Sequence, residues 1–439
     1  MRTVLLVLLV GCFVAGCPPH STHAQSPAPA TLSATARIDS AQAAWRADRP
    51  SIVIEILRPL AATDTASALV YRLLGQSHQS LRQHGSAAQA FESALERGGA
   101  SASLLTTLGR SYQAQGQLDR AEAAQKRALA LDTTGRARQI RLRLAAVHES
   151  QRDWPRAVDR YRELHEADTT NLFVRTRLAR AEAKRGHTEE ALRHYRAVHR
   201  QRPYDADIAL ALTRLLTEQK RYRAALAVTR RTLPHRDWPA LWRRQGDLAF
   251  QIDSLALAER AYENTLAHGD STANTLQRLG ITRVGQNKNA AALPVLQASY
   301  RRDTTRAATS FYLGTAYRGV DSLGRARAAY ERAVDQASEG TLADALTQLA
   351  PTYNQLGHLP DALDAYRLVL RLQPERKQVY FHLATLYDEH YKDKTVAARY
   401  YRRYLAESTR AAPRLKSYAK RRLNTLMSTL HLQSARPLD

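Results

Sequence analysis

The sequence predicts an all-α fold made of stacked helix-turn-helix units. Three observations predict it: a small residue recurs at steps of 33 to 36 residues, an alanine follows it 12 positions later in most units, and an aromatic ring often follows that alanine. Self-similarity at this period is typical of proteins in which each repeat is one helical hairpin. Because such an array has no single core that limits its size, a length of 439 residues does not require several globular domains.

The chain begins with an apolar stretch that indicates an export signal. Residues 1–16 place one basic residue, Arg2, before an apolar run that is too short to be a convincing membrane span. The run ends in the letters VAGC, which resemble a bacterial lipobox and imply acylation of Cys17. We therefore predict a signal peptide over residues 1–17, with ordinary secretion and cleavage after Ala24 as the alternative.

Both cysteines of the chain lie in this first segment. Cys12 also fits the lipobox pattern but would leave a shorter apolar region, so Cys17 is the preferred site of lipidation. The mature chain would then contain no thiol, which excludes disulfides, cysteine nucleophiles and thiolate metal sites. The predicted location is a membrane-anchored lipoprotein in the bacterial periplasm or outer membrane, and the alternative is a soluble periplasmic protein.

Four further segments come after the predicted signal. Residues 18–33 are rich in Pro, Ser, Ala and Thr, a composition that cannot bury a core and predicts a flexible tether. The repeats are predicted to occupy residues 34–411. A basic capping helix is predicted over 412–431, and a tail over 432–439.

Each unit shows the same internal pattern when its recurring small residue is numbered position 8. Position 8 is occupied along the chain by Ala41, Gly75, Gly109, Ala145, Ala179, Thr213, Gly246, Gly280, Gly314, Ala350 and Ala384. Position 20 is usually alanine, and position 24 is often aromatic, as in Phe91, Tyr262 and Tyr330. Small side chains at positions 8 and 20 let the two helices of a unit approach closely, and the ring fills the adjoining space.

This pattern resembles the tetratricopeptide repeat (TPR) family over roughly residues 34–411. Gly116 and Gly357 at the turn within a unit, and Pro203 and Pro374 at the end of the second helix, fit the resemblance. The resemblance implies a right-handed superhelical solenoid of about eleven units with a C-terminal capping helix. It also implies a non-catalytic scaffold or assembly factor that binds a partner protein segment along its concave groove, commonly in the cell envelope.

Two prolines break the pattern. Pro294 lies within the second helix of the eighth unit, and Pro351 lies within the first helix of the tenth. Because a proline inside a helix removes a backbone hydrogen bond and clashes with the preceding turn, we expect a kink or a shortened helix at both sites.

The predicted capping helix is amphipathic. Its apolar face consists of Leu415, Tyr418, Leu423, Leu426 and Leu430. Its basic face consists of Arg414, Lys416, Lys420, Arg421 and Arg422. With a formal net charge of +24, the chain has an alternative function as a binder of anionic envelope polymers or lipid headgroups. Nucleic acid is an improbable partner for an exported protein.

No catalytic, metal-binding or cofactor-binding motif is present in the sequence, and the prediction is a protein that is not an enzyme and needs no cofactor. The chain contains no phosphate-binding glycine loop, no HExxH and no CxxC. His194, His199, His382 and His390 are spaced unsuitably for a metal site and are interpreted as scattered surface residues. Asp388, beside Glu389 and His390, is interpreted as part of a solvated polar run.

Positions 2, 5, 9 and 12 of the first helix usually line the groove in TPR proteins. In this chain those positions hold six arginines and five acids, so the groove is predicted to be close to neutral. Arg110, Arg180 and Arg214 are its arginines at position 9. Position 9 holds no asparagine, so the carboxylate clamp of some peptide-binding relatives is not supported.

Four of the five phenylalanines after the signal fall on the same groove positions. They are Phe173, Phe250, Phe311 and Phe381. One interpretation is that their rings form apolar pockets for side chains of a partner segment. The alternative is that the rings pack against the neighbouring unit.

Overall fold

The computed structural model of the protein describes residues 33–63, 66–133, 135–235, 238–407 and 413–434. These residues form 23 α-helices and one short 3₁₀ turn, and the described part of the chain contains no β-strand. The predicted all-α fold class is confirmed. Residues 1–32, which include the predicted signal peptide, Cys17 and nearly all of the predicted tether, lie outside the described residues.

The chain divides into two compact units, Met1–Leu164 and His165–Asp439. The helices that begin in the first unit are α1 (Ala34–Arg46), α2 (Pro50–Ala61), α3 (Ala68–Ser80), α4 (His84–Glu96), α5 (Ala102–Ala114), α6 (Leu118–Ala130), α7 (Ala137–Ser150) and α8 (Trp154–Ala167). They pair as four hairpins. In each hairpin the odd-numbered helix is helix A of the repeat, and the even-numbered helix is helix B.

The second unit continues the same alternation. Its helices are α9 (Leu172–Arg185), α10 (Thr188–Gln201), α11 (Ala206–Glu218), α12 (Tyr222–Thr232), α13 (Pro239–Gln251), α14 (Leu255–Ala267), α15 (Ala273–Gly285), α16 (Asn289–Arg302), α17 (Ala307–Gly319), α18 (Leu323–Asp335), α19 (Glu339–Gln355), α20 (Leu359–Leu372), α21 (Lys377–His390), α22 (Thr395–Glu407) and α23 (Pro413–Ser434). The 3₁₀ turn, Leu233–His235, comes directly after α12.

The two helices of a hairpin approach closely at the position-8 residue, as predicted. A Cβ atom added at Gly246 would lie 2.7 Å from the ring of Tyr262, and one at Gly314 would lie 2.7 Å from the ring of Tyr330. Both rings are fully buried. Because real Cβ contacts are longer than this, the glycines allow helix B to place its aromatic ring directly on the backbone of helix A.

Tyrosines at position 11 link successive repeats, a feature that the sequence analysis did not identify. The hydroxyl of Tyr353 donates a hydrogen bond of 2.9 Å to Glu331, and the hydroxyl of Tyr317 accepts one of 2.8 Å from Gln297. The partner is residue 25 of the preceding repeat in both cases. Burial and the carboxylate of Glu331 raise the pKa of Tyr353 to about 12, so this hydroxyl remains a donor at neutral pH.

The two interior prolines do not shorten their helices, so this part of the expectation was wrong. Pro294 lies within α16, which has 14 residues, and Pro351 lies within α19, which at 17 residues is the longest helix of the described repeats. Each proline deletes one backbone hydrogen bond. The helices persist because buried alanines on the same turns, Ala292 and Ala350, hold them against neighbouring helices.

Helix α23 packs on the last hairpin through part of the predicted apolar face, together with Ala419. Ala419 and Leu426 are buried, and Leu423 packs partly against the same cluster. Leu415 is 37% exposed and Tyr418 is 41% exposed. In the described residues, no helix is both long and apolar enough to span a lipid bilayer.

Candidate binding groove

Several pairs of helices A from successive repeats contact each other directly within a compact unit, as α11 does with α13 and α15 does with α17. We call the surface that positions 2, 5, 9 and 12 of these helices form the helix-A face. Because side chains three or four residues apart lie on one side of a helix, each helix A contributes one row of residues to this surface.

The central cleft is a cavity of about 620 Å³ on the helix-A face of α11, α13 and α15. Its lining residues are Asp207, Leu210, Ala211, Arg214, Ala240, Arg243, Arg244, Asp247 and Asn274. Seven of them, including Arg214 and Asp247, occupy groove positions, and none comes from a helix B. A volume of this size accommodates several side chains of a bound segment.

The polar side chains of the central cleft differ in whether they already have hydrogen-bond or ion-pair partners within the protein. Asp247 accepts a hydrogen bond of 2.8 Å from the hydroxyl of buried Tyr262, whose pKa is raised by burial and then by this carboxylate. Arg243 Nη1 lies 2.8 Å from Asp270 Oδ2. Burial alone would raise the pKa of Asp270, but hydrogen bonds from Thr272, together with Arg243, lower it. Asp247 and Arg243 are thus held in place by neighbouring residues.

Arg214 and Arg244 are the more available cations of the central cleft. Arg214 is exposed, and its Nε atom lies 3.9 Å from Glu218, where both side chains are more than half exposed. An ion pair of that kind is screened by water and contributes little. Arg244 is half-buried and forms no ion pair with any described residue. The sequence analysis missed Arg244 because it lies at position 6, outside the usual groove positions.

The other two predicted groove arginines lie away from the central cleft. Arg110 is exposed on α5 in the first unit, and Arg180 is exposed on α9 in the second. Arg143 on α7 has a lowered pKa because it is buried and because Arg110 is nearby. The structure therefore does not gather Arg110, Arg180 and Arg214 into one site.

The four groove phenylalanines lie in different environments. Phe173 is 53% exposed, and the guanidinium of Arg177 lies 5.3 Å from its ring centre. Phe250 is half-buried and packs against the cluster that contains Tyr262. Phe311 is half-buried beside the Phe311 pocket, a mostly apolar cavity of about 190 Å³ between α17 and α19.

Phe381 is surrounded by aromatic rings. Its ring centre lies 5.3 Å from that of Tyr404, 6.1 Å from that of Tyr401 and 5.9 Å from that of Tyr418 on α23. Edge-on and tilted arrangements at these distances are favourable for aromatic pairs. The contacts of Phe381 are those of a packing residue, and Phe311 is the phenylalanine that borders a pocket.

The interpretation of Asp388 as a solvated residue was wrong. Asp388 is 5% exposed and accepts hydrogen bonds of 2.6 and 2.9 Å from Arg422 on α23. The carboxylate of Asp388 raises the pKa of Arg422 above its usual value, mainly through these hydrogen bonds. Charge pairing explains the burial, because the guanidinium of Arg422 compensates the carboxylate for the water that it loses.

The predicted basic face of the capping helix, α23, is therefore exposed only in part. Arg414, Lys416, Lys420 and Arg421 are exposed, whereas Arg422 is partly buried and engaged with Asp388. Four cations remain available on the surface of α23.

The interpretation of the histidines as scattered surface residues was wrong for two of them. His199 is buried, and its Nε2 atom lies 2.8 Å from the hydroxyl of Thr232. His148 is also buried, at 2% exposure. Among the described residues, no group of three His, Cys, Asp or Glu side chains is arranged to hold a metal ion.

Comparison with known proteins identifies the repeats. Models described as tetratricopeptide repeat match residues 182–245 and, for a second model, residues 106–171, 278–341 and 347–414. These matches cover more than half of the chain, and the protein belongs to the tetratricopeptide repeat family. Members of this family are generally non-catalytic scaffolds for protein–protein interaction. A search of curated proteins finds no match.

Several solved structures are similar to the chain. The APC/C hetero-tetramer Cut9-Hcn1 is 15% identical, with a TM-score of 0.44, and the match covers 89% of this chain and 96% of that chain. A tetratricopeptide repeat protein from Parabacteroides merdae is 15% identical, with a TM-score of 0.39 over 56% of this chain and 98% of that one. YrrB, described as a TPR protein with an unusual peptide-binding site, is 19% identical, with a TM-score of 0.38 over 42% and 95%. The TM-scores lie below 0.5, so the family assignment rests on the sequence matches.

Proposed function

We propose that the protein is a non-catalytic scaffold whose second unit binds a segment of a partner protein along the helix-A face. The central cleft carries this proposal, because its lining comes entirely from helices A of three successive repeats. A cavity shared by several repeats fits a segment that runs across them. Two aspartates held beside three arginines provide both acceptors and donors for the backbone and side chains of such a segment.

The charge of the cleft favours a segment with an acidic side chain. Asp247 already accepts a hydrogen bond from Tyr262, while Arg214 and Arg244 retain most of their donors. A carboxylate of the partner would be held by these two guanidinium groups. The Phe311 pocket, further along the same face, provides a place for one apolar side chain of the segment.

Charge reversal in the cleft tests this proposal. Peptides that bind the purified protein are first selected from a displayed library of bacterial envelope protein segments. Arg214→Glu together with Arg244→Glu is expected to weaken their binding at least about tenfold. Arg223→Glu, an exposed change on helix B of the same repeat, serves as the matched control. Peptides that bind the cleft variant and the control equally well would contradict the groove as the binding site.

The cell-envelope location is part of the proposal and rests on the sequence around Cys17. Two acyl chains or more would anchor the protein stably in a membrane, where one chain is marginal. The full-length chain is expected to sediment with membranes, and Cys17→Ser is expected to move it to the soluble fraction. Retention of the Cys17→Ser protein in the membrane fraction would contradict anchoring by lipidation.

A second candidate function is binding to anionic lipid headgroups or polymers through α23. Its support is the exposure of Arg414, Lys416, Lys420 and Arg421 on one helix. Binding of this kind falls steeply as salt rises, because exposed charges are screened within about 10 Å at 0.1 M salt. Charge reversal at Lys420 and Arg421 should abolish retention on anionic vesicles if this function operates.

A further inference from the structure

A second cleft lies outside the helix-A face, beside the helices B α12 and α14. This Trp242 cleft is a cavity of about 610 Å³ bordered by the end of α12, the 3₁₀ turn, α13 and α14. None of its lining residues occupies a groove position. It is therefore separate from the central cleft on the helix-A face.

The cleft exists because α12 ends early. α12 has 11 residues, whereas the helices B of the other described repeats have 12 to 14. Pro234 lacks a backbone N–H and cannot continue the helix, so the chain turns through Leu233–His235 instead. The missing last turn leaves Trp242 of the next helix A half-buried and facing the cavity.

The floor of the cleft is apolar. Buried Leu233 and the half-buried side chains of Trp242 and Leu257 form it. Gln245 is buried beside them, and its amide donates a hydrogen bond of 3.3 Å to Thr229. A partly open apolar floor with an indole ring favours an aliphatic or aromatic side chain of a partner.

The rim of the cleft is cationic. Arg230 and Arg260 are exposed there, and neither forms an ion pair with another described residue. Among the described residues that line the cleft, none is acidic. The neighbouring acids on α14 are committed elsewhere, because Glu263 Oε1 lies 2.8 Å from Arg283, which also pairs with Glu259.

We propose that the Trp242 cleft binds a segment of a second protein in which an apolar side chain is flanked by acidic residues. The apolar side chain would enter between Trp242 and Leu257, and the acidic residues would pair with Arg230 and Arg260. The positive net charge of the chain attracts such a segment at long range. With a partner in the groove as well, the protein joins two partners on opposite helix layers of one repeat.

Short fluorescein-labelled peptides test the proposal on the full chain by fluorescence anisotropy. The probe is a Gly-Ser peptide with one leucine between aspartates. Its two control peptides replace the leucine by glycine or the aspartates by lysines. Binding is expected for the probe and is expected to fall about tenfold or more with either control. Equal binding of the glycine control would overturn the proposal, because it would show attraction by charge alone.

Protein variants locate the binding site. Arg230→Glu with Arg260→Glu is expected to weaken probe binding about tenfold or more, and the neutral pair Arg230→Gln with Arg260→Gln is expected to weaken it less. Arg223→Glu, an exposed change at the start of α12 and outside both clefts, is expected to leave it unchanged. All these residues have exposed side chains, and circular dichroism checks that each variant folds.

Three further results would overturn the proposal. One is no binding of the probe at about 1 mM. Another is a probe that no longer binds the Arg214→Glu variant but still binds the variant with Arg230→Glu and Arg260→Glu. That result would place the peptide in the groove. The third is concentration-dependent dimerisation that disappears with the Arg230 and Arg260 changes, because a second copy of the chain would then be the occupant.

Discussion

Phe311 and Phe381 occupy position 5 of helix A in the ninth and in the eleventh, last repeat, yet their surroundings differ. Phe311 packs against Tyr330 of its own hairpin, with ring centres 5.8 Å apart, and also borders an open pocket lined by α17, α18 and α19. Phe381 is enclosed by Tyr401 and Tyr404 of its own hairpin and by Tyr418 of α23. The difference arises from the element that packs on the C-terminal side of each repeat. Another hairpin leaves the helix-A face open, whereas α23 covers it.

The acids of the helix-A face show the same contrast. Asp207 and Asp247 line the central cleft, whereas Asp388 is buried against Arg422. Charge and residue type are therefore insufficient to decide whether a groove position binds a partner. In the middle of the second unit the face is available for binding, and at its C-terminal end the face is consumed in capping the array, whose exposed end must be covered.

Truncation of the two rings gives the largest expected effect. Phe381→Ala should lower the free energy of unfolding of the C-terminal repeats by about 3 kcal/mol, because several aromatic contacts and a buried volume are lost. Phe311→Ala should cost about half as much and should weaken capture of a groove-binding peptide. Phe173→Ala, at an exposed site, is the control and should stay within about 0.5 kcal/mol. If hydrogen exchange shows that Phe381→Ala and Phe173→Ala destabilise α21–α23 equally, Phe381 is not the packing residue that its ring contacts indicate.

Loss of the ion pair is expected to have a somewhat smaller effect. Arg422→Ala leaves Asp388 buried with Lys394 at 4.0 Å and the hydroxyl of Tyr401 at 3.4 Å. We expect a loss of about 2 kcal/mol, toward the low end for buried pairs because the Arg422 side chain is 38% exposed. Arg421→Ala, on the neighbouring exposed residue, is the matched control. Similar protection of α21 from hydrogen exchange in both variants would show that the pair does not hold α23 in place.

The smallest expected effect is a pH dependence of stability that arises in α8–α10 and not at the C-terminal end. The rings of His165 and His194 meet there edge-on, with centres 5.4 Å apart. Burial, followed by His165, Arg175 and Arg193, lowers the pKa of His194 from 6.5 to about 4, and Glu182 opposes this shift. As the pH falls below 6.5, the unfolded chain binds a proton that the folded chain takes up only near pH 4, so this region loses stability.

Thermal unfolding at pH 7 and at pH 5 tests that expectation. The native protein should melt at a lower temperature at pH 5, and His194→Gln should reduce the difference between the two pH values. Arg421→Ala should retain the full pH difference, since this exposed change leaves the histidines and the Asp388–Arg422 pair unchanged. A pH dependence that His194→Gln leaves intact would assign the titration to other groups.

Much of the fold was predictable from the sequence. The period, the small residues and the rings of Phe91, Tyr262 and Tyr330 indicate hairpins, because close helix approach demands these residue types at fixed spacing. One expectation failed in part. Pro294 and Pro351 do not shorten their helices, because packing from neighbouring helices outweighs the local preference.

The candidate sites were predictable only in part. The groove positions led to Arg214 and Phe311, which the structure places beside cavities, but they missed Arg244 and all of the Trp242 cleft. Pro234 was the available signal for that cleft, because a proline just before the expected end of helix B predicts an early stop. The spacing of residues in the sequence does not predict which side chain becomes exposed when a helix ends early.

By itself, the sequence determined that this protein is an array of helical hairpins, since burial of a regularly spaced apolar stripe depends on local periodicity. Only the tertiary structure decided which parts of the array remain open. Whether Phe381 and Asp388 face a partner or the protein itself depends on where α23 docks, and docking is set by contacts between residues far apart in the chain.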